Sequence, residues 1–482
     1  MNKGVAWGQS LCWATIGLAC LGGCSSSGSS SSESSGQRPL LAAFNAVPDM
    51  AAITFLREEE VWDALEYGRA TEFRSVDADQ YDVNFDARLP GDETTMCRGD
   101  VDLDDIKDDN ECTRLESLSI NVLADREYVV ALFGDYDSLR VQVYDKLVHE
   151  FDTEDVSEDG DPEDTNMEVQ FFHWSKDLGP VDVYLEPPGT NLSAVQAKGT
   201  LEMGEEFHAL VDEGVYVLSL TPPAEPSAPL YASESLLLSE QTRVAFAILE
   251  PTGGTTAAVK VSRFRDQGGD LLPRRVTTEL RLAHAAADAG NVDVFAQEDY
   301  SEPFVADLAY SQTSDYAMVD PTILVDGLQL DITPAGNPGA LLARDRTALT
   351  EGTRSTFFLL KPTTASALDG LLVQDRFRRL AHFAEVRSIN GTGSSLDLYV
   401  IPRGNNVYTS APTQTLSSGS SGNVFLMEAG SYDVWIARAG TDTHVYGPQR
   451  IELAVRRGYT IVAVPTADAW NVDALFLDGF TN

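Results

Sequence analysis

The chain has 482 residues, with 34 basic and 75 acidic side chains and a formal net charge of −41 at pH 7. Such a surface repels phosphate, so nucleic acid is excluded as a partner, and it could attract divalent cations. We favour the interpretation of a solvated acidic surface suited to a salty medium. The hydrophobic fraction of 43% is ordinary for a globular protein, and the length suffices for about three or four domains.

The first segment, residues 1–23, is typical of an exported lipoprotein. An apolar stretch from Val5 to Leu21 is too short and interrupted for a membrane-spanning helix but suits a signal peptide. It ends in Leu-Gly-Gly-Cys, which resembles the bacterial lipobox. That resemblance implies cleavage before Cys24 and attachment of diacylglycerol to its sulfur. The alternative is an ordinary secretory signal with a chance cysteine.

Residues 24–38 follow as a tether, because Ser25 to Ser35 is nearly all serine and glycine. Several acyl chains, each contributing about 0.8 kcal/mol per buried methylene, would make the membrane attachment stable. By the sorting rules of the lipoprotein family, the absence of aspartate at Ser25 favours the outer membrane. We therefore predict a lipid-anchored outer-membrane protein, on the periplasmic face or the cell surface.

Cysteine usage agrees with export. Cys12 and Cys20 lie in the signal peptide and Cys24 takes the lipid, which leaves Cys97 and Cys112. Outside the cytoplasm these two are expected to form a disulfide. Closing a loop of this size stabilises a fold by about 3 kcal/mol on the chain-entropy model. A zinc site is not expected, since no histidine lies nearby.

Between these cysteines lies an acidic segment that matches part of a calcium loop. Asp100, Asp102, Asp104 and Glu111 fall at its positions 1, 3, 5 and 12. Calcium prefers hard oxygen ligands at such alternate positions. Asp105 stands where the loop needs glycine, however, and no flanking helices are evident. The two interpretations are a calcium site, which is the one cofactor that the sequence suggests, and a solvated acidic excursion.

Three strand-like patterns recur four times along the chain. The first is Ile53–Leu56, Val181–Tyr184, Val292–Phe295 and Leu396–Tyr399. The second surrounds Tyr81, Tyr216, Gln329 and Tyr432. The third is Tyr128–Ala131, Val244–Ala247, Thr356–Leu359 and Tyr459–Val462. Short runs of β-branched and aromatic residues between turn residues predict an all-β protein built of β-sandwiches.

One of these units resembles a known family. Residues 284–295, with Leu308-Ala309-Tyr310 and the later Gly327, are similar to bacterial repeats of domain-of-unknown-function family 4397. The similarity extends over most of residues 40–482. It implies tandem Ig-like sandwiches on a cell-envelope protein and no known activity. The predicted modules and joints are 39–151 (with the Cys97–Cys112 insertion), an acidic linker at 152–165, 166–266, 278–376 and 380–482.

Polar residues also recur between the first and second strands of each unit. Both sets are counted back from the second residue of the first pattern. Nine residues before it lie Asn45, His173, His284 and Ser388. Five residues before it lie Asp49, Asp177 and Asp288. We interpret the former as hydrogen-bonding residues at strand ends and the latter as turn residues. Asp182, Asp293 and Asp397 lie mid-strand, on the face opposite to their apolar neighbours, and are expected to meet solvent or a neighbouring strand.

Known catalytic motifs are absent from the sequence: it contains no nucleophile elbow, phosphate loop, dinucleotide fingerprint or His-Glu-x-x-His. We therefore predict a non-catalytic envelope lipoprotein with a binding, adhesion or structural role. Its partners would be the membrane, through the lipid, and an envelope protein or polysaccharide. The alternatives are a carbohydrate-active enzyme that uses paired carboxylates and a passive spacer.

Overall fold

The computed structural model describes residues 37–92, 97, 112–148, 166–239, 242–265, 268–274, 277–320, 327–361, 363, 367–466 and 471–478. In these residues the chain forms 36 β-strands in eight sheets and a few short 3-10 helices. The all-β prediction is confirmed. Within the same residues, no helix has the length and apolar character needed to cross a membrane. The predicted signal peptide, the acidic linker and all of the predicted tether except residues 37 and 38 lie outside them.

The first sandwich has one sheet of order β4–β1–β8–β9, with β5 also paired to β1, and a second of order β3–β2–β6–β7. The 3-10 helix Tyr136–Ser138 joins β8 to β9. The strands are β1 (Leu40–Ala46), β2 (Ile53–Arg57), β3 (Glu60–Leu65), β4 (Arg69–Ala70), β5 (Arg74–Ser75), β6 (Gln80–Ala87), β7 (Thr113–Asn121), β8 (Arg126–Phe133) and β9 (Arg140–Leu147).

The second sandwich has sheets of order β13–β10–β17–β18–β19 and β12–β11–β14–β15, with β16 also paired to β14. Because β19 belongs to the first of these sheets, this sandwich continues past residue 266. A 3-10 helix spans Leu192–Ala194. The strands are β10 (Asn166–His173), β11 (Val181–Glu186), β12 (Gly199–Leu201), β13 (Glu206–Asp212), β14 (Gly214–Thr221), β15 (Tyr231–Ala232), β16 (Leu236–Leu238), β17 (Arg243–Leu249), β18 (Lys260–Phe264) and β19 (Gly269–Leu271).

The third sandwich has two four-stranded sheets, of order β23–β20–β26–β27 and β22–β21–β24–β25. The strands are β20 (Thr278–His284), β21 (Val292–Ala296), β22 (Val305–Leu308), β23 (Ala317–Val319), β24 (Leu328–Pro334), β25 (Ala343–Thr347), β26 (Arg354–Leu360) and β27 (Asp369–Gln374).

The fourth sandwich has sheets of order β31–β28–β35–β36, with β32 also paired to β28, and β30–β29–β33–β34. A 3-10 helix spans Val407–Thr409. The strands are β28 (Ala384–Asn390), β29 (Leu396–Pro402), β30 (Gln414–Leu416), β31 (Ser420–Ser421), β32 (Phe425–Met427), β33 (Gly430–Arg438), β34 (His444–Leu453), β35 (Gly458–Pro465) and β36 (Val472–Asp478).

Each sandwich contains one parallel strand pair in its first sheet. The pairs are β1 with β8, β10 with β17, β20 with β26, and β28 with β35. The later strand of each pair carries the third sequence pattern. We call the sheets that hold these pairs the inner sheets and the other four the outer sheets.

The inner sheets are buried on both faces. Seven of the eight residues of β8 are buried. Val130 and Leu132 of this strand face the core of their own sandwich, whereas Val129, Ala131 and Phe133 join a second cluster shared with the second sandwich. A similar cluster joins the inner sheets of the third and fourth sandwiches. Two-sided burial explains why these strands read as continuous apolar runs rather than as alternating ones.

Aromatic side chains dominate the cluster between the first two sandwiches. Trp174, 1% exposed, follows β10 and has its ring centroid 4.6 Å from that of Phe44 and 4.8 Å from that of Phe172. Its indole N–H donates to the Tyr144 hydroxyl at 2.8 Å. Rings from both sandwiches thus form one apolar layer, and the indole N–H of Trp174 has its hydrogen-bond acceptor within it.

Candidate functional site

The recurring Asn and His side chains at the ends of the first strands close the following loop. Nδ1 of His173 accepts from the Ser175 amide at 3.3 Å, and Nε2 lies 3.1 Å from the Gly179 carbonyl. His284 makes the same two contacts, with the Ala286 amide and the Gly290 carbonyl. Because Nδ1 accepts a hydrogen bond, the proton is on Nε2 and the ring is neutral. This is a structural role for both histidines.

In the fourth sandwich this role belongs to Asn390, and the prediction of Ser388 is wrong. The Asn390 side chain accepts from the Thr392 amide at 3.0 Å and donates to the Ser394 carbonyl at 2.8 Å. Asn390 is also the last residue of its strand, as His173 and His284 are of theirs. The loop that follows is two residues shorter than in the other units, so counting back from the next strand gave the wrong residue.

Burial lowers the pKa of His173 and of His284, against the raising effect of their backbone contacts. A lowered folded-state pKa means that the unfolded chain binds more protons, so stability is lost as pH falls below about 6.5. We expect the double variant H173N/H284N to lose less stability between pH 7 and pH 5 than the wild type, as measured by urea unfolding. At pH 7 it should differ by no more than about 1 kcal/mol, because Asn390 makes the two equivalent loop contacts in the fourth sandwich. Equal pH dependence in the two proteins would contradict this assignment.

The mid-strand aspartates of the first pattern are buried and fully engaged. In Asp293, one carboxylate oxygen accepts from the Asp307 amide at 2.8 Å and the other from the Gly336 amide at 2.7 Å. Asp397 likewise accepts from the Thr415 hydroxyl at 2.6 Å and the Gly440 amide at 2.7 Å. Asp182 follows the same scheme. Each carboxylate therefore joins a neighbouring strand to a turn, and solvent is not its partner.

Two buried ion clusters cross the interfaces between inner sheets, and the sequence patterns did not reveal them. In the first, Glu127 of β8 pairs with Arg265 and with Lys146, whose Nζ also lies 2.6 Å from Glu168 of the second sandwich. Burial is the largest single influence on the pKa of Glu127 and raises it. The hydrogen bonds and ion pairs with Arg265 and Lys146 together have the greater effect, so the pKa of Glu127 is lowered. The feature of the sequence that could have revealed this cluster is a charged residue within an otherwise apolar strand.

The second cluster joins the third and fourth sandwiches. Arg387 of β28 lies 2.7 Å from Asp375 and 3.6 Å from Asp478, and Arg281 of β20 lies 2.6 Å from the same Asp478. All four side chains are largely buried. The two pairs of sandwiches are thus joined in the same way, by an apolar layer with an ionic cluster.

A charged concavity lies where residues of all four sandwiches meet. We call it the junction cleft; its volume is about 610 Å³, and its lining includes Asp49, Lys176, Glu250, Arg378 and Arg456. Arg378 donates to the Pro48 carbonyl at 2.9 Å and to that of Met50. An Arg456 nitrogen lies 3.3 Å from Oδ2 of Asp49, as an ion pair without hydrogen-bond geometry.

Most of the charges in the junction cleft are occupied by structural contacts. Lys176 pairs with Asp135, and Glu250 accepts from the Ser175 hydroxyl at 2.8 Å and the Asp177 amide at 2.7 Å. Burial raises the pKa of Asp49, although its hydrogen bond from the Tyr136 amide lowers it. A general acid or base must be free to exchange protons with a substrate. The geometry of the cleft is that of a joint between sandwiches.

Two glycines let the second sandwich approach the third and fourth at this joint. A Cβ on Gly253 would lie 1.6 Å from the Phe377 carbonyl oxygen, and one on Gly254 would lie 1.8 Å from that of Asp375. Backbone hydrogen bonds reinforce the contact, since Arg354 donates its amide to the Gly254 carbonyl at 3.0 Å. Only glycine permits so close an approach of two backbones.

Of the remaining predicted site residues, the cysteine pair is described. Cys97 and Cys112 form a disulfide with their Cα atoms 5.1 Å apart. The candidate calcium ligands Asp100, Asp102, Asp104 and Glu111, and the lipidation residue Cys24, lie outside the described residues. Within those residues, no group of three or more His, Cys, Asp or Glu side chains could hold a metal ion.

Comparison with protein families gives a match to part of the chain. Residues 278–399 fit the model described as "Domain of unknown function (DUF4397)". This segment is similar to that family. It covers the third sandwich, β28 and part of β29, and the family's description assigns it no activity.

Comparison with individual proteins adds little. No curated protein matches the chain. Among solved structures, "The Bacillus anthracis TIE protein" is similar at 9% sequence identity over 85% of this chain, with a TM-score of 0.14. The chain spans 65% of the length of that structure.

Proposed function

We propose that the protein is a non-catalytic lipoprotein of the cell envelope, anchored through Cys24 to the outer membrane. Its sandwiches, which we take to be tandem copies of one family, would act as a rigid body in binding or structural contacts at the membrane surface. The lipobox-like sequence and the serine tether support the anchor. A disulfide between Cys97 and Cys112 fits a compartment outside the cytoplasm.

The observation that carries the proposal is the joining of sandwiches through their inner sheets. Independent modules on a chain normally keep polar surfaces that let them reorient. Here both faces of the inner sheets are buried, and charged residues such as Glu127 and Arg387 are buried at the interfaces. Reorientation within a pair would expose this apolar surface and separate these ions. A rigid block of this kind presents its loops and outer sheets in fixed positions, as a binding or structural protein requires.

Membrane fractionation tests the anchor. We expect the wild-type protein in the outer-membrane fraction and the C24A variant in the soluble fraction, because the variant has no sulfur to carry the lipid. The measurement is immunoblotting of fractions after a high-salt wash, together with incorporation of labelled palmitate.

The matched control is S25A, which changes the neighbouring residue and should remain membrane-bound and labelled. A C24A protein that stayed in the washed membrane fraction would rule out anchoring through this residue.

A further inference from the structure

We propose that the outer sheet of the fourth sandwich binds a neutral polysaccharide through an aromatic platform. The aromatic platform is defined by Tyr399 of β29, Tyr408 of the 3-10 helix Val407–Thr409, Trp435 of β33 and His444 of β34. The inference rests on the proposed binding role and names the class of ligand for it.

The four rings form one continuous surface. Tyr399 and Trp435 are directly opposite each other on adjacent strands. The ring of His444 connects the set, with its centroid 5.1 Å from that of Trp435, 6.1 Å from that of Tyr399 and 5.0 Å from that of Tyr408. Buried apolar side chains support this surface from below: Ile401, Val407 and Ala437.

The polar atoms of the platform are available to a ligand. Tyr408 is 69% exposed, Trp435 and His444 are partly exposed, and Tyr399 is 8% exposed, so the first three rings present most of the accessible surface. Within the described part of the chain, the indole N–H of Trp435 and the hydroxyls of Tyr399 and Tyr408 make no hydrogen bond. A sugar ring has an apolar C–H face and a rim of hydroxyls. Such a ligand can stack on the rings and also satisfy these donors and acceptors.

The other three sandwiches show that the fold does not require an aromatic residue at position 435. In each of the other three sandwiches, the strand position equivalent to Tyr399 also lies directly opposite one residue of the adjacent strand. That residue is Asn84 in the first sandwich, Ser219 in the second and Asp331 in the third, and all three are buried. Asn84 donates to the Glu58 carbonyl at 2.8 Å, and Asp331 pairs with Arg344 at 2.7 Å. Trp435 replaces a small or hydrogen-bonded polar residue with a large ring that solvent reaches. Trp435 packs on the small apolar cluster beneath the platform but stays partly exposed, so the exposed part of its ring is free to stack on a ligand.

Charge determines which polysaccharides fit. The chain carries a net charge of −41. Asp433, two residues before Trp435 on the same strand face, lies directly opposite Arg450 of β34, so these two charges offset each other and leave no local excess of positive charge between them. A polyanionic glycan would be repelled by this field, whereas a neutral one would not. The platform is therefore complementary to uncharged saccharides.

Native affinity electrophoresis of the full-length lipoprotein in detergent micelles tests the proposal. The probes are soluble dextran, galactomannan and mixed-linkage β-glucan as neutral polymers, and alginate as the anionic comparison. We expect at least one neutral polymer to retard the wild-type protein and alginate not to retard it. We expect W435A to weaken that binding about thirtyfold, as for a central aromatic contact residue, and Y408A about fivefold. Y408F, which keeps the ring, should stay within about twofold of the wild type.

The matched control is L237A, because Leu237 is 68% exposed, like Tyr408, but lies on the second sandwich. It should bind as the wild type does. If W435A fails to fold, as shown by its circular dichroism, the exposed Tyr408 variants still decide the question. The proposal is overturned if no neutral polymer retards the wild type, if Y408A binds unchanged, or if alginate binds better. None of these results would alter the fractionation of C24A, so the experiments test the lipid anchor and the aromatic platform independently.

Discussion

The W174A substitution is expected to lower the free energy of unfolding by about 3–5 kcal/mol. Trp174 is almost fully buried between the first two sandwiches, against Phe44 of one and Phe172 of the other. Its removal leaves a cavity at the centre of the apolar layer and deprives the Tyr144 hydroxyl of its donor. Urea unfolding followed by far-UV circular dichroism measures the change.

Two further variants separate the causes. W174F keeps most of the ring packing but loses the N–H donor, so we expect a loss of about 1–3 kcal/mol. L237A truncates a large side chain that is 68% exposed and should change stability by no more than about 0.5 kcal/mol. A W174A protein as stable as L237A would show that the two inner sheets do not pack on each other.

The second large effect is expected at the buried ion cluster. E127Q should lower the free energy of unfolding at pH 7 by about 3–5 kcal/mol, because it leaves buried positive charge without its partner. Glu127 pairs with Arg265 and lies 3.1 Å from Lys146, and both its oxygens are shielded from water. Urea unfolding at a series of pH values measures the loss.

The pH dependence of this variant has a defined sign. The folded-state pKa of Glu127 is lowered from 4.5. A lowered carboxyl pKa contributes stability above the unfolded-state value, and that contribution is lost as pH falls through the folded-state value. The difference between wild type and E127Q should therefore be complete at pH 7 and shrink below about pH 4.5.

An exposed pair on the same two strands serves as the control. Arg126 of β8 and Asp145 of β9 form an ion pair at side-chain exposures of 32% and 44%. D145N should cost no more than about 1 kcal/mol, because water screens an exposed pair. If E127Q cost as little as D145N, the cluster would not hold the interface together.

Much of the secondary structure could be predicted from local sequence patterns. The runs that contain Tyr128, Val244, Thr356 and Tyr459 were identified as strands and do lie in β8, β17, β26 and β35. The pairing of Cys97 with Cys112 was predicted by the same kind of reasoning and is present. These features depend on neighbours in the chain or on a simple count of cysteines.

Other features depended on strand pairing in space. Asn390 takes the role predicted for Ser388 because a loop is two residues shorter, and the hydrogen bonds of the loop reveal the equivalence. The mid-strand Asp293 has a turn amide as a partner, 43 residues along the chain. The Trp435 position becomes unusual only when the strand registers of the four sandwiches are compared. Contacts at such sequence separations leave no local pattern.

The sequence by itself determined that this chain is all-β and that its strands recur in four groups, because strand periodicity and turn residues act over a few neighbouring positions. Only the tertiary structure decided that sandwiches join through their inner sheets, that Glu127 and Arg387 are buried in ionic clusters, and that four aromatic side chains meet on one outer sheet. A continuous apolar run is compatible with either one neighbouring layer or two. The packing partner of its second face lies in a different sandwich, far away along the chain.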